Sequence, residues 1–351
     1  EQREIDRVLH ELTDALRPHC DALEASLDAL VTLDTLAARA RYAVAARCTP
    51  APLGASSEGF AIVDGRHPLL LARGDNVVPF DLAMLPGERT LLVSGPNTGG
   101  KTVLLKALAL LSLMAQSGIP APVGAESRLA AFDGVFADIG DEQSIEASLS
   151  TFSAHLKNLT EIVCDATSES LVLVDELGSG TDPLEGAALG GAILETLTRR
   201  GTLTVATTHL GALKELAQEV PGVVNASLQF DAVALAPTYR LIKGIPGRSY
   251  GLSIARRLNM PADVIARAEE RVPQAERDIH KLLEILETRE RESAGLLAQL
   301  EADQADVQRR GHRLAEREGE IKRKERELEK ASRQDARRYL LDARADLERT
   351  I

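Results

Sequence analysis

The sequence predicts an α/β fold, a mixed sheet flanked by helices, with a helical segment before it and a long charged helix after it. Three observations carry that expectation. Gly95-Pro96-Asn97-Thr98-Gly99-Gly100-Lys101-Thr102 follows the apolar run Thr90–Ser94 and precedes the helical run Val103–Leu111. Ser170-Leu-Val-Leu-Val-Asp175-Glu176 is a short apolar strand that ends on two carboxylates. Leu300, Val307, Leu314, Ile321 and Leu328 recur every seven residues among Glu, Arg and Lys, as in a coiled-coil helix.

The first stretch carries the chemistry. Strand, glycine-rich loop and helix form the setting that the G-x-x-x-x-G-K-[ST] pattern requires, and they predict a P-loop NTPase. Glycines let the backbone wrap closely around phosphate oxygens, and loop amides and a helix N-terminus offer partial positive charge to an anion. Lys101 can reach the β- and γ-phosphates, and Thr102 can ligate Mg²⁺. Four apolar residues before Asp175 read as a strand buried on both faces of a parallel sheet. Its carboxyl end is where open α/β sheets bind ligands. Asp175 is therefore expected to hold Mg²⁺ and Glu176 to polarise the attacking water.

Composition sets the outer bounds. The 351 residues suffice for two domains, and 44% hydrophobic content suffices for a core. The sequence starts at Glu1 rather than Met, so a fragment or processed product is expected. A net charge of −12 argues against a chain coated in nucleic-acid-binding charge, although it leaves room for a basic patch. Cys20, Cys48 and Cys164 are too scattered for a disulfide framework or a zinc site. No apolar run is long enough to span a membrane, no signal peptide opens the chain, and a cytoplasmic location is expected.

Taken in order, residues 1–47 read as helix, with Ile5, Val8, Leu9, Leu12 and Leu16 at helical spacing and Pro18 as a kink or restart. Residues 49–59 are turn-rich and mark a boundary. A strand and turn over Phe60–Leu69 and an edge hairpin within residues 74–90 are expected before the P-loop. Gly134–Gly140 reads as a strand that runs into the acidic loop Asp141–Ser144. Ser148, Ser150 and Thr151 open the next helix, where they could simply cap it. Gly178–Pro183 is a tight loop before a helix over 184–199, and Thr202–Thr208 is a buried strand ending at His209. A histidine at such a strand end can hydrogen-bond a γ-phosphate. Residues 221–242 alternate as an antiparallel meander or hairpin, and two short helices follow at about 252–258 and 262–270, the second starting at Pro261. The seam companion to the heptad row is weak (Leu297, Gln304, Gly311, Glu318), and the Lys322–Lys324 cluster lies among Glu residues as a solvated face.

The P-loop, the acidic loop, Ser150-Thr151-Phe152, Asp175-Glu176, the Gly-Thr loop and His209 come in an order that resembles the ATPase of the MutS proteins. Gly65–Leu70 (GRHPLL), Phe136–Ile145 (FADIGDEQSI) and Arg248–Ala268 resemble that domain's first strand, acidic loop and terminal helix–turn–helix. GSGTDPLEGAAL at Gly178–Leu189 is similar to the MutS-two family, whereas mismatch-repair MutS proteins carry Ser-Thr-Tyr-Asp-Gly after Gly-Thr.

The resemblance implies a homodimer through the ATPase domains, with ATP and Mg²⁺ in composite sites. Gly95–Thr102, Asp175, Glu176 and His209 of one copy would be completed by Ser150 and Thr151 of the other. Val77 and Tyr239 fall near the adenine position, with Val77 in place of a usual aromatic. The implied division is residues 1–49 as the end of lever helices, 50–268 as the ATPase domain with its dimerisation element, and 269–351 as coiled coil. Such proteins also carry a small Smr nuclease domain, but no His-Gly-x-Gly follows residue 270, so nuclease activity is not expected in this chain. The implied function is an ATP-driven switch on nucleic acid, acting on branched DNA to suppress recombination or on stalled, collided ribosomes. Mismatch-repair MutS is the alternative. A chromosome-organising coiled-coil ATPase fits poorly, because no long coil separates Lys101 from Asp175.

Overall fold

A computed structural model describes residues 1–350 apart from 96–99, 141–147, 232–235, 248–250 and 273. Side chains at 148–152 and at some positions in other elements, the last helix above all, are not described. In chain order the elements are α1 (Gln2–Leu16), α2 (Cys20–Ala45), β1 (Leu53–Ala55), β2 (Phe60–Gly65), α3 (Pro68–Arg73), β3 (Phe80–Met84) and β4 (Thr90–Ser94). Then come α4 (Lys101–Gln116), β5 (Leu129–Ala131), β6 (Val135–Asp138), α5 (Ser148–Asp165), β7 (Leu171–Val174), α6 (Pro183–Arg200) and β8 (Leu203–Thr208). The chain closes with α7 (Leu216–Glu219), β9 (Val223–Asp231), β10 (Ala236–Lys243), α8 (Gly251–Arg257), α9 (Ala262–Arg271) and α10 (Gln274–Thr350).

The main sheet has the order β10-β9-β4-β8-β7-β6. Its strands are parallel except for β10, which runs antiparallel to β9 at one edge. The sheet is thus the expected mixed one, flanked by helices. Strand alternation sends successive side chains to opposite faces. Leu171 and Leu173 of β7 pack with Leu104, Leu105, Leu108 and Leu111 of α4, whereas Val172 and Val174 pack with Leu159 of α5 and Leu194 and Leu197 of α6. Both faces are covered, which is why β7 is apolar throughout. The α4 side also holds Phe60, Ile62, Phe80, Leu82 and Met84.

Those last residues correct one expectation. Residues 74–90 do not form a hairpin of their own: β3 pairs antiparallel with the earlier β2, and β4 joins the main sheet. The turn expected around Pro68 is the first turn of a helix, α3, with Pro68 at a position where its missing N–H costs nothing. Within the turn-rich stretch 49–59, Leu53–Ala55 forms a short parallel pair with β5. Three residues are too few to show a period in sequence.

α6 shows why the local sequence starts and stops a helix there. Asp182 caps it by accepting from the Leu184 and Glu185 amides, Pro183 opens it, Arg199 and Arg200 lie in its last turn, and Gly201 ends it in the left-handed region. α1 and α2 bury none of their residues, and a 3₁₀ turn at Arg17–His19 holds Pro18 between them. α8 and α9 form a small helical hairpin tied by an Arg256–Glu269 ion pair. Two compact units are Glu1–Leu283 and Glu284–Ile351. In the second, the heptad row Leu300, Val307, Leu314, Ile321 and Leu328 is exposed.

Burial predicts how substitutions divide. Leu105 is 0% exposed, so Leu105→Ala should cost about 2–5 kcal/mol in denaturant unfolding. Leu12 is 58% exposed, and Leu12→Ala in this chain should cost less than about 0.5 kcal/mol. Equal losses would contradict the assigned core.

Candidate functional site

Parallel strands put their carboxyl ends at one edge of the sheet, and the register lines those ends up. Ser94 of β4 pairs with Thr208 of β8, Val174 of β7 with Ala206 of β8, and Val174 with Asp138 of β6. The residues that follow therefore share one edge: Gly95 after β4, Asp175 and Glu176 after β7, and His209 after β8.

Two threonines hold Asp175. Thr102 Oγ1 donates to its Oδ2 at 2.5 Å, and the Thr207 hydroxyl donates to its Oδ1. The Asp175 amide in turn donates to the Asp138 carbonyl at 2.9 Å. Thr207 also receives the Glu176 amide on its Oγ1 at 2.8 Å, and its carbonyl receives the Leu177 amide at 2.8 Å. Glu176 has a left-handed backbone, φ 49°. Such a backbone is costly for a residue with a Cβ and persists only where its surroundings enforce it. Both carboxylates are half-buried.

Lys101 is 3% exposed, and its Nζ donates to the Gly95 carbonyl at 2.6 Å. Burial pushes its pKa below the ordinary lysine value, Glu176 and Asp175 pull it back up, and Lys214 pushes it down again. A buried ammonium at the root of a glycine loop is suited to meet an anion that replaces the carbonyl contact.

The loop after β7 is a close backbone approach. A Cβ on Gly186 of α6 would lie 2.2 Å from the Gly178 carbonyl oxygen, which brings the start of α6 against the carboxylate loop.

A cavity of about 240 Å³ lies beside the start of α4. Val77 and Tyr239 both line it, with His67, Phe80, Val103 and Leu228. Tyr239 adopts φ 58°, and its ring lies so close over Gly100 that a Cβ there would be 2.9 Å from Cδ1. Gly100, at φ 85°, is left-handed and caps α4. His67 is buried, which lowers its pKa, and its Nδ1 accepts from the Leu70 amide at 3.4 Å.

The structure brings Lys101, Thr102, Asp175 and Glu176 together and places Val77 and Tyr239 on one cavity. His209 is exposed at the end of β8. Ser150 and Thr151 fall in the first turn of α5, but their side chains, like Pro96, Asn97, Thr98 and Gly99, lie outside the described residues. Thr207 escaped the sequence reading. Its signal was there in Thr207-Thr208, two hydroxyl residues at the end of a buried strand, just before His209. Among the described residues no three His, Cys, Asp or Glu side chains converge on a metal-sized site. The Thr102–Asp175 pair offers instead two hard oxygen donors, the kind that holds Mg²⁺ together with waters and substrate phosphates.

The fold is that of a P-loop NTPase domain of the MutS type. The chain belongs to the MutS domain V family, which it matches over residues 91–276. It is 66% identical to Endonuclease MutS2 of Gemmatimonas aurantiaca over 351 residues, all of this chain and 43% of that protein. It is 51% identical to Endonuclease MutS2 of Pelotomaculum thermopropionicum over 84% of this chain and 37% of that protein. It is 40% identical to Endonuclease MutS2 of Alkaliphilus metalliredigens over 100% of this chain and 44% of that protein. The chain thus spans less than half the length of these curated relatives.

The lowered Lys101 pKa fixes a pH dependence. The native state sheds this proton before the unfolded state does, so folding stability gains as pH rises through the window just below the ordinary value of 10.5. The Tm difference between parent and Lys101→Met, without nucleotide, should therefore shift in the parent's favour as pH is raised into that window. A difference that stays flat or moves the other way would contradict the buried ammonium.

Proposed function

We propose that the chain is the ATP-hydrolysing part of a dimeric switch that acts on nucleic acid. The observation that carries this reading is the joining of Lys101, Thr102, Asp175 and Glu176 at the root of the glycine-rich loop. Lys101 leaves the Gly95 carbonyl to meet the β- and γ-phosphates. Thr102 and Asp175 would hold Mg²⁺, which when bound neutralises charge on the β- and γ-phosphate oxygens. Glu176, held by the Thr207 hydroxyl at its amide, polarises the attacking water. His209 hydrogen-bonds the γ-phosphate from the end of β8. Val77 and Tyr239 flank adenine in the cavity beside Gly100.

In this reading two ATPase domains meet head to tail as a homodimer. Ser150 and Thr151 at the start of α5 complete the partner's site, as polar groups at a helix N-terminus suit an anion. ATP closes the pair and hydrolysis releases it. Residues 1–49 serve as the end of the levers, 50–268 as the ATPase with its dimerisation helices, and 269–351 as a coiled coil. The relatives' name, endonuclease, supports nucleic acid as the object, branched DNA or the RNA of a stalled ribosome, with the cytoplasm as the place of action. The surface that reads it belongs to the longer protein. Among the described residues no helix is long and apolar enough to cross a membrane.

Glu176→Gln should leave ATP affinity within about threefold and lower turnover by about 10²–10⁴. Undiminished turnover would remove Glu176 from its role. Thr207→Val should lower turnover about 10–100-fold by loosening Asp175 and the Glu176 amide. The object can be captured by purifying full-length Glu176→Gln protein in MgATP and sequencing what accompanies it. Excess ribosomal RNA assigns the ribosome, chromosomal DNA assigns branched DNA, and no nucleic acid at all would contradict this reading.

A further inference from the structure

Beside the site lies a polar cluster that the chemistry above does not use. Asp138 ends β6, one strand over from Asp175, and its carbonyl accepts the Asp175 amide. Its carboxylate faces α5, where Oδ2 pairs with His155 Nδ1 and Oδ1 accepts from Asn158 Nδ2 at 3.3 Å. The two side chains are largely buried, 11% exposed for Asp138 and 19% for His155. Among the described residues His155 Nε2 is buried without a hydrogen-bond partner.

Such a pair is a poor way to gain stability. Removing a carboxylate and an imidazole from water costs free energy that offsets much of their attraction, and a buried nitrogen with no partner among the described residues adds to the cost. What a polar pair supplies and an apolar contact does not is direction. His155 and Asn158 lie three residues apart, on one face of α5. Leu159 and Ile162, further along, enter the core. α5 is thus held by Leu159 and Ile162 in its second half and, among the described residues, oriented ahead of them by an anchor, the contacts to Asp138. The residues one turn before that anchor are Ser150 and Thr151.

We propose that Asp138 and His155 are positioning residues for the nucleotide held by the neighbouring copy. The anchor sets the direction in which the first turn of α5 presents Ser150 and Thr151 across the dimer. The inference rests on the shared-site reading above. It adds a link between the two sites, since the strand end that orients α5 is hydrogen-bonded to the backbone of Asp175, which serves the chain's own nucleotide.

The test uses full-length protein and mixed dimers isolated through two different tags. His155→Leu homodimers should bind a fluorescent ATP analogue within about twofold of the parent, while kcat falls about 10–100-fold, as for loss of a supporting hydrogen-bond partner. His155→Asn, whose amide can stand where Nδ1 stood, should recover most of the rate. In a mixed dimer of His155→Leu with Lys101→Ala, the only working P-loop belongs to the His155→Leu chain and meets an intact α5. Turnover should return to about half the parent's. If it stays as slow as in the His155→Leu homodimer, the residue serves its own chain and the proposal falls. A control dimer of Ser150→Ala with Lys101→Ala separates the two ideas. Rescue there without rescue for His155→Leu overturns the inference alone, and no rescue in either overturns the shared site as well. If His155→Leu does not fold, Asp138→Asn goes through the same pairings. Failure of both to fold would make the pair a structural tie and overturn the proposal.

Discussion

The site depends on one carboxylate and the two hydroxyls that hold it. Asp175 is half-buried at the end of β7, and Thr102 and Thr207 donate to its two oxygens. Each hydroxyl comes from a different element, one from the first turn of α4 and one from β8. Together they tie the helix that follows the glycine-rich loop, the carboxylate strand and the strand that ends at His209 into one unit. An exposed pair of this kind would contribute little, but where water is partly excluded a charge-assisted hydrogen bond is roughly twice as strong as a neutral one.

The same contacts explain why the arrangement can respond to a ligand. Lys101 is buried on a backbone carbonyl, and Thr102 spends its proton on Asp175. In the proposed reading, a triphosphate with its cation would offer each of them a better partner. The strand end beyond Asp175 carries Asp138, whose contacts run into α5. A change at Asp175 therefore has a short, hydrogen-bonded route to the helix whose start carries Ser150 and Thr151.

Much of this was legible in the sequence, for identifiable reasons. The P-loop pattern fixes residue types at four of its eight positions, and a strand buried on both faces cannot hide its four apolar residues, Leu171–Val174. The antiparallel pair β9 and β10 showed through alternation, which left a meander or a hairpin open, and α6 through the Ala-, Leu- and Gly-rich run after its tight loop. What escaped was set by tertiary pairing. β3 looks like half of a local hairpin, yet its partner β2 precedes it by an intervening helix. β1 and β5 are three residues each and carry no period. Thr207 and the Asp138–His155 pair are joined to the site only by the sheet register and by α5 crossing β6, which no spacing in the chain announces.

The proposed switch requires that the site be shared between two copies. The most direct measurement is ATP turnover per chain at saturating MgATP while protein concentration is lowered through the range in which light scattering records the passage from dimer to monomer. A shared site predicts that turnover per chain falls in step with the dimer fraction. Turnover per chain that stays constant in the monomer would contradict it.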